Sequence, residues 1–183
     1  MHVRNMHRFK KPLKVIYPGD CYVSSKNEYI GTLLGSCVAV CLYDTVNKVA
    51  GMNHFVLPGK IVSYTSKRKG LIKKTEQEEL LKYGTHSIET LIKKMGKHGN
   101  IKNMVAKVFG GGKVLNYQTT SYGVSNMNVR IAKILLEIAD IPIISEDVGG
   151  NVARKLLFDV SSGKVYCKHL KKIEKNDKRF MME

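Results

Sequence analysis

The chain has 183 residues and a mass of 20.6 kDa, with 31 Lys and Arg against 15 Asp and Glu, a formal net charge of +16. At 43% hydrophobic residues it is expected to bury a core without disulfides or metal, most simply as one domain, which excludes a wholly disordered chain. The longest apolar runs, 38–43 and 134–136, fall far short of the roughly 20 residues a membrane span needs, so a soluble protein without membrane insertion is expected.

Residues 1–12 read as a basic extension. No apolar segment of signal-peptide length follows them, so the expected location is the cytoplasm. Residues 13–24 and 28–34 read as extended, interrupted at Pro18-Gly19 and Lys26-Asn27. Two apolar runs, 38–43 and 49–57, flank Asp44-Thr45-Val46-Asn47, a hairpin turn signal. Both faces of each run are apolar, which places this hairpin centrally in a sheet. Pro58-Gly59 closes the second run, and residues 60–74, with six Lys and Arg and no acid, read as an exposed loop.

The period then changes. With Thr75 as N-cap and Glu76, Glu78 and Glu79 in the first turns, Leu80, Gly84, Ile88, Leu91, Ile92 and Met95 recur at helical spacing as far as Gly96. A strand over 101–109 ends on Gly110-Gly111-Gly112. Ile131, Leu135 and Ile138 mark a second helix over about 126–140, and strands at 154–160 and 164–170 join through Ser162-Gly163. Residues 171–183 read as a basic tail. Hairpins mixed with two helices predict an α/β or α+β fold over residues 13–170, with a layered mixed sheet, a central hairpin and two main flanking helices.

The excess charge sits in ends and loops: five Lys and Arg in residues 1–14, and seven against three acids in residues 164–183. No aromatic residues are interleaved as a nucleic-acid surface requires. Solvated basic tails, or attraction to an acidic partner or to anionic lipid, account for the pattern better. Gly110-Gly111-Gly112-Lys113 lacks both the spacing and the Ser or Thr of a phosphate-binding loop, so these glycines, like Gly149-Gly150, read as places where backbones turn or approach closely.

The four cysteines, Cys21, Cys37, Cys41 and Cys167, form no CxxC pair and make no zinc pattern with the six histidines, so free thiols and no metal are expected. Cys21, Cys41 and Cys167 read as small core residues. Cys37 differs because it follows Gly35-Ser36 at the start of a strand, where unpaired backbone N–H groups suit an oxyanion. A turn centred on Thr45-Val46 opposes Cys41 to Ala50, Ala39 to Met52 and Cys37 to His54. Directly opposed residues share a face with Cβ atoms about 5 Å apart. An imidazole there takes the thiol proton, and the resulting ion pair is expected to lower the thiol pKa. The alternative is a core histidine bonded to a backbone carbonyl.

The stretches Leu34-Gly35-Ser36-Cys37-Val38-Ala39-Val40-Cys41-Leu42-Tyr43-Asp44 and Gly51-Met52-Asn53-His54-Phe55-Val56-Leu57-Pro58 closely resemble the signature of the chemoreceptor glutamine deamidases, CheD. The likeness continues in order through Tyr83-Gly84, Ala106-Lys107-Val108-Phe109-Gly110-Gly111, Asn128, Glu146-Asp147-Val148-Gly149-Gly150 and Arg154. Ser125 and Met127 depart from the residues usual before Asn128.

The resemblance implies a cytoplasmic chemotaxis enzyme of layered α/β fold that hydrolyses selected glutamines of methyl-accepting chemotaxis receptors to glutamate. A cysteine nucleophile and histidine base would fall on Cys37 and His54, with oxyanion donors near Gly35 and Ser36. A threonine is implied six residues before the cysteine, where this chain has Gly31; Thr32, one position later, is the candidate. No metal or organic cofactor is implied, and a CheC-type phosphatase is an implied partner. Two other readings compete: an adaptor for CheC or receptors with little deamidase activity, and a basic nucleic-acid-binding protein, which would bind with steep salt dependence.

Overall fold

The computed structural model of the chain describes residues 11–59, 79–114 and 121–170. The expected basic loop at 60–74, the Thr75 cap with Glu76 and Glu78, and most of the two basic ends lie outside these residues.

Among the described residues nine strands and two longer helices follow one another: β1 (Leu13–Val15), β2 (Cys21–Ser24), β3 (Tyr29–Leu34), β4 (Val38–Asp44), β5 (Ala50–Asn53), α1 (Gly84–Gly96), β6 (Met104–Gly110), α2 (Ser121–Ile138), β7 (Ile143–Val148), β8 (Ala153–Asp159) and β9 (Val165–Leu170). They build a five-stranded sheet ordered β2-β5-β4-β6-β7 and a four-stranded sheet ordered β1-β3-β8-β9. Both sheets are mixed, because β6 and β7 are parallel across α2 and β1 and β3 are parallel.

Strand β4 shows why the layers stack. Its Val38, Val40 and Leu42 join Ile88, Leu91 and Met95 of α1 and Leu136 of α2 in one core, while Ala39, Cys41 and Tyr43 meet Ile30 and Leu34 of β3 and Phe158 of β8 in another. All seven β4 residues are therefore buried, as expected for a strand with two apolar faces at the centre of a sheet. The order is helices, five-stranded sheet, four-stranded sheet. Among the described residues no element covers the outer face of the last, and a cleft of about 580 Å³ there is lined by apolar residues including Leu13, Val15, Leu33 and Tyr166. Neither Cys37 nor His54 lines it.

Four expectations need correction. The hairpin register is displaced by two residues: Tyr43 pairs with Ala50 and Cys41 with Met52, not Cys41 with Ala50. The cause is the turn. Asp44 caps it by accepting the N–H groups of Val46 and Asn47 on Oδ1, and Lys48 takes a left-handed φ of 57°, so four residues rather than two separate the strands.

The expected single helix up to Gly96 is broken ahead of Gly84: Glu79 and Leu80 are helical, a turn follows, and a new helix runs from Gly84. Tyr83 bridges to Leu57, and Gly84 lies so close to the Phe55 ring that a Cβ there would approach it to 2.7 Å. The second helix begins at Ser121, ahead of the expected 126. Strand β7 went unread, because it is an edge strand whose middle residues are exposed.

The glycine readings agree with the structure. Gly110 has φ 111°, and a Cβ on it would lie 2.2 Å from the Cys37 carbonyl oxygen. No side chain fits where these two backbones cross.

Candidate active site

The loop between β3 and β4 carries Gly35, Ser36 and Cys37. Their carbonyls are all engaged: Gly112 N–H donates to Gly35 O at 2.8 Å, Asn128 Nδ2 to Ser36 O at 3.3 Å and Gly111 N–H to Cys37 O at 2.8 Å. The N–H groups of Ser36 and Cys37 donate to no backbone carbonyl among the described residues. With the carbonyls of this loop engaged elsewhere, its N–H groups are the candidate donors to an anion.

His54 lies just beyond β5, where the ladder with β4 opens. Val38 and Phe55 exchange both backbone hydrogen bonds, but Val40 N–H donates instead to the Asn53 side-chain oxygen, at 2.8 Å. Released from β4, His54 N–H donates to Asp20 O, and His54 O accepts from Gly19 N–H. The Val38–Phe55 bridge continues the observed register, so His54 lies opposite Ala39, two positions along from Cys37. The expected direct Cys37–His54 opposition is thus wrong. Because the displacement is by two residues, the shared face survives, and Cys37 and His54 both look into the layer between the sheets.

Thr32 reaches the same layer from β3 in the other sheet. Its hydroxyl oxygen is 2.8 Å from His54 Nδ1 and 2.9 Å from the Ile16 carbonyl oxygen. A carbonyl only accepts, so the Thr32 hydroxyl donates to Ile16 and accepts from Nδ1–H. This assigns the imidazole tautomer: the proton is on Nδ1 and the lone pair on Nε2. That Nε2 is buried and, among the described residues, has no hydrogen-bond partner, the Cys37 sulfur included.

Burial lowers the His54 pKa from 6.5 to about 4, against a smaller opposing pull from Asp20. It raises that of the Cys37 thiol, with a lesser lowering contribution from the residue's own backbone N–H. Burial thus favours the neutral form of both the thiol and the imidazole, against the expected ion pair. The other cysteines are less suited to nucleophilic work: burial pushes Cys21 up to about 11, Cys167 likewise with help from Asp147, and Cys41 further still.

Two asparagines outside the expected set organise the site. Asn53 on β5 fills the gap in the ladder and donates to Ser87 Oγ of α1 at 3.0 Å. Asn128 on α2, fully buried, donates to Ser36 O and to Val56 O, tying the cysteine loop to the strand segment after His54. Asn53 had a signal in the sequence, a polar side chain within a run buried on both faces, which must find partners.

A family model described as CheD chemotactic sensory transduction matches residues 68–169. The chain is 40% identical over 172 residues to a probable chemoreceptor glutamine deamidase CheD 2 of Shewanella oneidensis, covering 90% of this chain and 80% of that protein. Probable chemoreceptor glutamine deamidases CheD of Saccharophagus degradans and Hahella chejuensis are each 35% identical, over 89% and 93% of this chain and 72% and 75% of theirs. Among solved structures, a Bacillus licheniformis hypothetical protein, YfiH, aligns at 14% identity and a TM-score of 0.40 over 70% of this chain and 50% of that one.

Proposed function

The chain belongs to the CheD family, and on that premise we propose that it hydrolyses glutamine side-chain amides of methyl-accepting chemotaxis receptors to glutamate, with Cys37 as nucleophile, His54 as base and Thr32 as the residue that positions His54. The observation that carries this reading is the unpartnered Nε2 of His54, held in the accepting tautomer by Thr32 on the face that Cys37 shares. A buried nitrogen without a partner costs about 1–3 kcal/mol, and a reacting group arriving there removes that cost.

The chemistry follows from the two neutral groups. As Cys37 Sγ attacks the carboxamide carbon, His54 Nε2 takes the thiol proton, so thiolate forms only during attack. The tetrahedral oxyanion accepts from the N–H groups of Ser36 and Cys37. His54 returns its proton to the leaving nitrogen, ammonia departs and a thioester remains. Water then attacks the thioester while Nε2 takes its proton, and collapse expels the sulfur, which is reprotonated, leaving glutamate. The receptor gains one negative charge, a change suited to tuning a signalling helix. This reading locates the protein in the cytoplasm, with a CheC-type phosphatase as a second partner.

Incubating the protein with its cognate receptor and following tryptic peptides by mass spectrometry tests the proposal. Gains of about one dalton at receptor glutamines are expected with the wild type and none with Cys37→Ala, whose unfolding transition should stay in place; Cys41→Ala and Cys167→Ala should retain modification. Modification that survives in Cys37→Ala overturns the nucleophile. Unmodified receptor that still binds the wild-type chain favours the adaptor reading.

A further inference from the structure

We propose that Asp147, Cys167 and His169 form a binding site for a divalent transition-metal ion of the zinc type, joining the free edges of the two sheets. Asp147 stands on β7, the edge strand of the five-stranded sheet, and Cys167 and His169 stand two residues apart on β9, the edge strand of the four-stranded sheet. Residues so spaced on a strand share a face.

The candidate ligand atoms of all three lie within 4.8 Å of one another. Cys167 Sγ is 3.5 Å from Asp147 Oδ2, and His169 Nε2 is 2.6 Å from the same oxygen. Tetrahedral zinc with ordinary bond lengths separates sulfur from oxygen by about 3.5 Å and nitrogen from oxygen by about 3.3 Å. The first separation is already met, and the second is reached by opening one hydrogen bond.

The donor set is sulfur, imidazole nitrogen and one carboxylate oxygen, which suits zinc or cobalt and not calcium or magnesium. Asp147 Oδ1 is taken up by the buried Arg154, through Nε at 2.9 Å and Nη2 at 2.7 Å, and Arg154 also donates to Gly149 O and Val152 O. That guanidinium fixes the carboxylate so that Oδ2 faces the two β9 ligands, the role of an outer-shell partner. His169 is exposed, so water can fill a fourth position. A linear search for zinc spacing passes over this set because its aspartate comes from the other sheet.

The full chain, stripped with a chelator and titrated with Co²⁺, tests the site. One equivalent should produce a thiolate-to-cobalt charge-transfer band and the intense visible absorption of four-coordinate cobalt, both erased by Zn²⁺. Zn²⁺ should also raise the melting temperature. Cys167→Ser should abolish the charge-transfer band, and His169→Gln, at an exposed position that leaves the Asp147–Arg154 pair intact, should weaken cobalt binding by about tenfold or more. Cys37→Ser should keep the full spectrum. A wild-type titration without the band overturns the proposal, as does a band that persists in Cys167→Ser or disappears in Cys37→Ser.

Discussion

The two ends of the β4–β5 hairpin solve opposite problems. At the turn, every polar group of Asp44 is used: its carboxylate accepts from the N–H groups of Val46, Asn47 and Asn100 and from Asn47 Nδ2. Burial opposes its ionisation, yet these hydrogen bonds hold its pKa at about 2. At the open end, partners are withheld: the ladder splits at Asn53, and among the described residues His54 Nε2 and Asn128 Oδ1 are buried without hydrogen bonds. One end is built for stability, while the other keeps reactive groups uncommitted, a difference in satisfaction rather than in burial.

The largest expected departure between the ends comes from His54→Gln. Losing the base should lower kcat for receptor deamidation by about 10²- to 10⁴-fold, while thermal unfolding stays within a few degrees of the wild type. A fall in kcat matched by a fall in melting temperature would make His54 a core residue and erase the contrast.

Next is the pH dependence of stability. The folded pKa of about 4 lies below the ordinary 6.5, so the unfolded chain binds the His54 proton first. Stability is unaffected by this group above pH 6.5, declines as pH falls towards 4 and then levels, by roughly 3 kcal/mol in total. Urea unfolding of the wild type and His54→Gln over pH 4–8 should show this decline in the wild type alone; parallel curves would mean that the imidazole is not buried neutral.

Asp44→Ala addresses the other end. It strands several turn N–H groups and should cost about 1–3 kcal/mol in chemical unfolding, with kcat unchanged under folding conditions. A drop in kcat would show that the hairpin ends are coupled. The smallest effect is expected of Thr32→Val, about tenfold in kcat, because the imidazole remains but its tautomer is no longer held; Thr32→Ser should restore it. No rescue by serine would reduce Thr32 to a packing residue.

Strand β4, the α1 face carrying Gly84, Ile88, Leu91 and Met95, and the β8–β9 hairpin were legible because periodicity reports burial directly. Register was not, since it depended on Lys48 accepting a left-handed conformation without the glycine or asparagine that normally announces one. Strand β7 escaped because an exposed edge needs little apolar patterning. At the candidate site, Cys37, His54 and Thr32 could each be singled out from the sequence, and the structure brings the Thr32 hydroxyl to His54 Nδ1. The resting protonation could not, because it depends on how deeply both sheets bury the pair.

The placement of Thr32 in one sheet and of the Cys37–His54 pair in the other has a consequence for folding. Strand β3 is flanked by β1 and by β8, whose Leu156 pairs with Thr32 from more than a hundred residues further along the chain. Contacts so distant in sequence form slowly and late. A chain still emerging from the ribosome has the cysteine and the histidine well before it has the sheet that sets the imidazole tautomer. With Thr32 in the proposed positioning role, the imidazole is fully held only once β8 has joined β3, late in the closing of the domain.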